Sequence, residues 1–290
     1  MTESVQHLPD ILPNILIEPL VKAALLEDLG RAGDITTDAV IPAALTAQAA
    51  IVAREAGTIA GTRAAELAFR LLDPPTACEI PAPDGSRVSP GKVVMQIEGR
   101  ARALLSAERT ALNFLGRLSG VATATAALVQ AVEGYGVGIT CTRKTTPGLR
   151  ALEKAAVRAG GGANHRFGLD DAVLIKDNHI ALAGSIAEAV RRVRQRIGHL
   201  VKIEVEVDTL RQLEEAMAVS PDAVLLDNMT PKQLEQAVAM VRGRATTEAS
   251  GRIDLETAPV IAATGVNLLS VGWLTHSSRS LDLGLDMAQA

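Results

Sequence analysis

Asp171-Ala172-Val173-Leu174-Ile175-Lys176-Asp177-Asn178 and, further along, Asp222-Ala223-Val224-Leu225-Leu226-Asp227-Asn228 are two versions of one phrase. Each is a short apolar run that ends abruptly in a charge. Runs of this length, apolar throughout, read as strands buried on both faces, the habit of parallel sheets. From Tyr135 onward the same grammar repeats. Short apolar runs at 137–142, 172–176, 200–207, 223–227, 245–249 and 267–271 alternate with helical spacing at 149–159, 184–197, 209–218, 231–242 and 254–264. That alternation predicts parallel strands with crossover helices, an α/β architecture. In β/α barrels the C-terminal strand ends carry the chemistry, so the terminal charges mark a site.

Upstream the pattern differs. Residues 15–30 read as a helix ending at Gly30, followed by a turn through Gly33-Asp34. A strand pattern over 46–61 gives way to a helix over 62–72 before the Asp73-Pro74-Pro75 break. Residues 84–91 read as an ordinary β-turn between two short strands, a reading that outweighs their likeness to biotinyl and lipoyl carrier hairpins. Two consecutive helices are predicted over 103–118 and 119–133, and the boundary between the two regions falls near 118 with no linker.

Composition narrows the function. The chain has 290 residues, 48% hydrophobic and only 2% aromatic, so its core is aliphatic and stacking platforms for single-stranded nucleic acid are missing. With 29 basic and 33 acidic residues it is no general polyanion binder, and any anion site is a local concentration of cations. Cys78 and Cys141 make neither a disulfide framework nor a four-cysteine zinc site, which fits a reduced, cytoplasmic setting. The opening Met1-Thr2-Glu3 carries no basic leader, and no run of 18 apolar residues suggests a membrane span.

The charges at the strand ends are Arg143 and Lys144, Lys176, Glu206 and Asp208, and Asp227. Between them, Gly160-Gly161-Gly162-Ala163-Asn164-His165-Arg166 follows a helix. The glycines suit either a helix stop or a backbone nest for an anion. Singly, each charge has an ordinary reading: Lys176 as a solvated rim residue, Arg143-Lys144 as a turn, Asp227 as the cap of the helix at Thr230-Pro231. Jointly, several cations beside two carboxylates point to a phosphate-rich substrate with a divalent cation such as Mg²⁺. Ser250-Gly251 and Val271-Gly272, at the last two strand–helix junctions, suit a phosphate cradle. Arg102, Ser106, Arg109 and Asn113 form one polar helix face, while Gly116 and Gly120 on the same stretch suggest close packing.

Four blocks then resemble one family. Ser106 to Phe114, Thr142-Arg143-Lys144-Thr145-Thr146-Pro147-Gly148-Leu149-Arg150, Gly160 to Arg166, and Ala172 to His179 are similar to quinolinate phosphoribosyltransferase, the carboxylating nicotinate-nucleotide pyrophosphorylase. The resemblance runs from about Glu27 to Met287. It implies an N-terminal α/β sandwich over 1–118, rejoined by 276–290, and an incomplete open β/α barrel over 119–275. It implies transfer of phosphoribose from phosphoribosyl pyrophosphate to quinolinate, giving nicotinate mononucleotide, pyrophosphate and CO₂ in NAD biosynthesis. Mg²⁺ and a homodimer with shared sites come with it, and neither nucleic acid nor membrane is a partner.

By the same resemblance, Arg143, His165 and Arg166, with Thr142 in the same block, grip the quinolinate carboxylates, and Arg109 arrives from the partner subunit. Lys144 and Lys176 line the site near both substrates, while Glu206 and Asp227 face ribose and the metal–pyrophosphate. Ser250, Gly251, Val271 and Gly272 cradle the ribose phosphate, flanked by Arg252 and Trp273, where the family usually has Gly and a small residue. No protein nucleophile is required, in keeping with the missing serine or cysteine triad. Rival readings are a transport-linked paralogue, a Schiff-base aldolase built on Lys176, and a non-catalytic anion-binding module. The intact blocks at 142–144 and 165–166 speak against the first.

Overall fold

The structure is a computed structural model and describes residues 12–288; the opening Met1-Thr2-Glu3 lies outside them. In chain order the first elements are α1 (Asn14–Leu29), α2 (Ile35–Val40), β1 (Thr46–Ala53), β2 (Gly57–Thr58), α3 (Thr62–Leu72), β3 (Ala77–Glu79), β4 (Arg87–Val88), β5 (Val93–Arg100) and α4 (Ala101–Ala131). Next come β6 (Gly138–Thr140), α5 (Arg150–Ala159), β7 (Val173–Ile175), α6 (Asp177–Ala183), α7 (Ile186–Arg194), β8 (Ile203–Val207) and α8 (Leu210–Ala218). The chain closes with β9 (Ala223–Asp227), α9 (Pro231–Val241), β10 (Thr246–Ser250), α10 (Ala258–Ala262), β11 (Leu268–Ser270), α11 (Trp273–His276) and β12 (Leu283–Met287).

Two compact units result. The first holds the described residues up to Ala126, Thr145–Gly161 and those from Leu274 on. Its antiparallel sheet runs β12-β1-β5-β3, so the last strand pairs with the first. α1 ends where Gly30 takes φ 55°, a conformation that favours glycine. Ile51, Met95, Phe69, Leu104 and Leu115 are fully buried, so the aliphatic core expected from the composition holds one of the three phenylalanines. The helices expected over 103–118 and 119–133 are one uninterrupted helix, α4, and the boundary drawn at 118 lies inside it. Nothing breaks the helix there: Ser119 is buried and its hydroxyl donates to the Ala60 carbonyl at 3.2 Å. α4 is long and apolar enough to span a membrane, yet Leu104, Ala107, Ala111, Leu115, Leu118, Val121 and Leu128 are core residues. Gly116 and Gly120 do mark a close approach. A Cβ on Gly120 would stand 2.0 Å from the Arg279 carbonyl oxygen.

The second unit, Ala127–Lys144 and Gly162–Trp273, carries six parallel strands in the order β6-β11-β10-β9-β8-β7. Each strand from β7 to β11 lies beside its successor, and β6 joins β11, so this is a β/α barrel left open between β6 and β7. Beside β6, on that open side, Ala163 makes a parallel bridge with Thr140. Its N–H donates to the Ile139 carbonyl at 2.7 Å, and this fixes the start of the block leading to His165 and Arg166. α8 and α9 start at capping boxes, Thr209 with Gln212 and Thr230 with Gln233, each worth about 1 kcal/mol. Thr230 therefore caps α9, and Asp227 is left out of the cap.

Candidate active site at the strand ends

Every predicted site residue except Arg109 belongs to the second unit. The chain alternates side-chain direction along β8, so Ile203, Val205 and Val207 share one face while Glu204 and Glu206 share the other. Glu206 pairs with the Lys176 ammonium, which β7 delivers at its C-terminal end. Lys176 directly precedes α6, a short helix for which the sequence pattern gave no element. His179 accepts the Lys176 backbone N–H on Nδ1 at 2.9 Å and tightens that corner.

The guanidinium pair comes from two loops. Arg143 follows β6, in a turn where the Lys144 N–H donates to Thr142 Oγ1 at 3.0 Å. Arg143 Nε is buried and has no hydrogen-bond partner among the described residues. Arg166 donates from Nη1 to the Ala172 carbonyl at 3.1 Å. Burial, and then the neighbouring Arg143 charge, push the Arg166 guanidinium below its ordinary value. Asp171 holds the loop between, accepting the backbone N–H groups of Phe167 at 2.5 Å and Gly168 at 2.8 Å.

His165 stands between Arg166 and two carboxylates. Its Nδ1 accepts the Arg166 backbone N–H at 2.8 Å, and its Nε2 lies 2.8 Å from Glu204 Oε2 and 3.7 Å from Glu248 Oε1. Glu204 and Glu248 are the functional candidates that sequence reading missed. The signal was there: Glu248 sits inside the strand 245–249, and Glu204 repeats Glu206 two positions earlier. A carboxyl in mid-strand of a sheet buried on both faces needs a reason.

Of the two glycines expected to cradle phosphate, Gly251 takes a positive φ and Gly272 does not. Gly251 has φ 105°, and a Cβ there would stand 2.3 Å from Asn228 Oδ1. Ser250 is in register with both Asp227 and Ser270, and its carbonyl accepts the Asn228 N–H at 2.9 Å. Asn228 in turn donates from Nδ2 to Asp227 Oδ2 at 2.7 Å, orienting that carboxylate. Arg252 is exposed and itself adopts φ 50°. Trp273 Nε1 donates to the Ile253 carbonyl at 2.8 Å, so the lone Trp ties together the loops after β10 and β11. Val271 donates its N–H to the Thr140 carbonyl at 2.9 Å, and Gly272 follows at the end of that strand.

Other expected features sit elsewhere. Gly160 ends α5 and packs closely, since a Cβ there would lie 2.4 Å from the Ala122 carbonyl oxygen. Asp208 is exposed and its N–H bonds Gln212 in the α8 cap. The polar face on α4 divides: Arg102 pairs with Asp38, and Ser106 donates to Asp34, while Arg109 and Asn113 are exposed.

An open β/α barrel that gathers guanidinium, ammonium and carboxylate groups at its strand ends, beside a glycine cradle, defines an enzyme of anionic substrates. The chain belongs to the quinolinate phosphoribosyl transferase family. The family's N-terminal domain matches residues 34–119 and its C-terminal domain residues 121–286. A probable nicotinate-nucleotide pyrophosphorylase [carboxylating] of Bacillus subtilis is 44% identical over 274 residues, covering 94% of each chain. A nicotinate-nucleotide pyrophosphorylase [carboxylating] of Mycobacterium leprae is 46% identical over 92% of this chain and 95% of its own. The crystal structure of NadC from Streptococcus pyogenes has 42% identity and a TM-score of 0.91, covering 96% of this chain and 99% of that one.

Proposed function

We propose that this chain transfers phosphoribose from phosphoribosyl pyrophosphate to quinolinate and releases CO₂, giving nicotinate mononucleotide in NAD biosynthesis. Family membership supports the reaction, and one observation supports the acceptor. Arg143 and Arg166 hold two guanidiniums close enough to repel, and Arg143 keeps a buried Nε without a partner. A ligand with two adjacent carboxylates relieves both penalties, and quinolinate is such a ligand. Lys144 stands beside them, His165 buttresses Arg166 from below, and Thr142 shapes the turn.

Ser250, Gly251, Val271 and Gly272 receive the ribose phosphate, with Arg252 adding charge at the rim and Trp273 bracing the loop. Asp227 and Glu206 face the ribose and the leaving group. These carboxylates suit Mg²⁺ held largely through the substrate's pyrophosphate, because Asp227 is fixed by Asn228 and Glu206 is balanced by Lys176. Mg²⁺ would supply neutralisation of the leaving pyrophosphate. As positive charge develops at the anomeric carbon, Asp227 and Glu206 stabilise it and Lys176 meets the departing oxygens. The pyridine nitrogen bonds to the anomeric carbon as the bond to pyrophosphate breaks. The now cationic nitrogen stabilises the electron pair that departing CO₂ leaves on the adjacent ring carbon, and that carbon takes a proton from solvent. Holding two mutually repelling anions in line is the chain's main task.

The reading includes a homodimer in which Arg109, exposed on α4, completes the partner's site, and a cytoplasmic setting, in which Cys78 and Cys141 stay reduced. Acceptor specificity tests the proposal. With quinolinate and nicotinate compared under identical conditions, turnover should be confined to quinolinate, because one carboxylate leaves a guanidinium unpaired. Equal turnover of nicotinate would refute it.

A further inference from the structure

Next to Arg166, His165 meets two buried carboxyls that the reaction does not call on directly. Glu248 is 2% exposed and Glu204 9% exposed, yet both point carboxyl groups at the same imidazole. Glu248 Oε1 has no hydrogen-bond partner among the described residues. The donor atoms of His165, Glu204 and Glu248 lie within 4.8 Å of one another, a spacing that a metal ion could use. The hydrogen bonds speak for a proton instead. Because Nδ1 accepts the Arg166 N–H, the neutral ring must carry its hydrogen on Nε2, where it is donated to Glu204. Neither ring nitrogen then offers a lone pair to a metal.

The ring is therefore a strut between the barrel interior and the backbone of Arg166. Its lower end rests on Glu204 from β8 and Glu248 from β10, and its upper end sets the N–H from which the Arg166 side chain departs. We propose that Glu248 is a positioning residue for quinolinate recognition, closing the floor under His165 and so fixing where the Arg166 guanidinium meets a carboxylate. Burial and then the Glu204 charge push Glu248 up to about 7, with His165 opposing. The inference rests on the reading of Arg143 and Arg166 as the dicarboxylate site.

Glu248→Ala removes the floor and touches neither substrate. Steady-state kinetics on the full-length protein should show the quinolinate KM raised about ten-fold with kcat retained and the phosphoribosyl pyrophosphate KM within about two-fold of wild type. Calorimetry of quinolinate alone should show the same loss. Glu248→Gln, which keeps volume and a neutral hydrogen-bonding end, should restore most of the quinolinate affinity. Should the alanine variant not fold, Glu248→Asp, shorter by one methylene, carries the same test. An unchanged quinolinate KM, equal losses for both substrates, or no rescue by glutamine each overturns the inference. A wild-type protein that turns over phosphoribosyl pyrophosphate with another acceptor and ignores quinolinate would instead overturn the functional reading beneath it.

Discussion

Gly251→Ala is the smallest change that should disable the phosphate cradle while leaving the acceptor pocket alone. At φ 105° an L-residue is strained by about 1–3 kcal/mol. The new methyl would also stand 2.3 Å from Asn228 Oδ1 and 3.0 Å from its backbone N, so Asn228 must move. Moving it breaks the 2.7 Å bond that orients Asp227, a further loss of about 1 kcal/mol. Together these give about 2–4 kcal/mol against productive binding of the phosphorylated substrate, or a fall of roughly 30- to 900-fold in kcat/KM. The assay is a pair of saturation series, one for each substrate, with calorimetry of quinolinate alone. Quinolinate affinity should be unchanged, because its proposed contacts come from the loops carrying Arg143 and Arg166. Wild-type kinetics toward phosphoribosyl pyrophosphate in a folded Gly251→Ala variant would refute the cradle. Loss of quinolinate affinity instead would show that the two pockets are wrongly divided.

Asp227→Asn should depress kcat by about 100-fold or more while quinolinate binds as before, and calorimetry of the acceptor alone would expose a misassigned residue. Arg109→Ala and Lys176→Ala homodimers should each be nearly inactive; after subunit exchange, half of the dimers carry one intact site, so activity should return to about a quarter of wild type. If exchange is confirmed and nothing returns, Arg109 acts within its own subunit. Glu248, faced by Glu204, His165 and Ser270, binds its proton more tightly folded, at about 7, than unfolded, at 4.5. The folded state thus holds more protons in that window, so this group's contribution to stability falls as pH rises from about 4.5 to 7 and levels above it. Thermal midpoints of Glu248→Gln across that range should decline less than those of wild type, and parallel curves would contradict the assignment.

The barrel was legible because a parallel strand buried on both faces is mostly apolar, as β7 and β9 are up to the charge that ends each run, and a charge at its end has to face solvent or ligand. Lys176 and Asp227 stood out on those grounds, and the structure sets both at C-terminal strand ends. The path of α4 was less legible. Sequence periodicity cannot tell two collinear helices from one when no proline intervenes, and Ser119 at the apparent junction, a residue type that often caps helices, is used for a buried contact instead. α6 was missed because seven residues starting directly after a strand leave no room for a loop signal. Glu204 and Glu248 escaped notice because a buried carboxyl is legible only through its partner, and His165 reaches them across a long sequence separation. Trp273 stood out as a departure from the family's small residue, and its indole N–H bonds the Ile253 carbonyl of the neighbouring loop.

The central claim is that a dicarboxylate acceptor loses one carboxyl group as it takes up phosphoribose. Quinolinate labelled in the carboxyl adjacent to the ring nitrogen, incubated with the protein, phosphoribosyl pyrophosphate and Mg²⁺, measures this directly. The account predicts labelled CO₂ in step with pyrophosphate and nicotinate mononucleotide, and none when phosphoribosyl pyrophosphate is omitted. Pyrophosphate release without labelled CO₂, or CO₂ release without the phosphoribosyl donor, would contradict it.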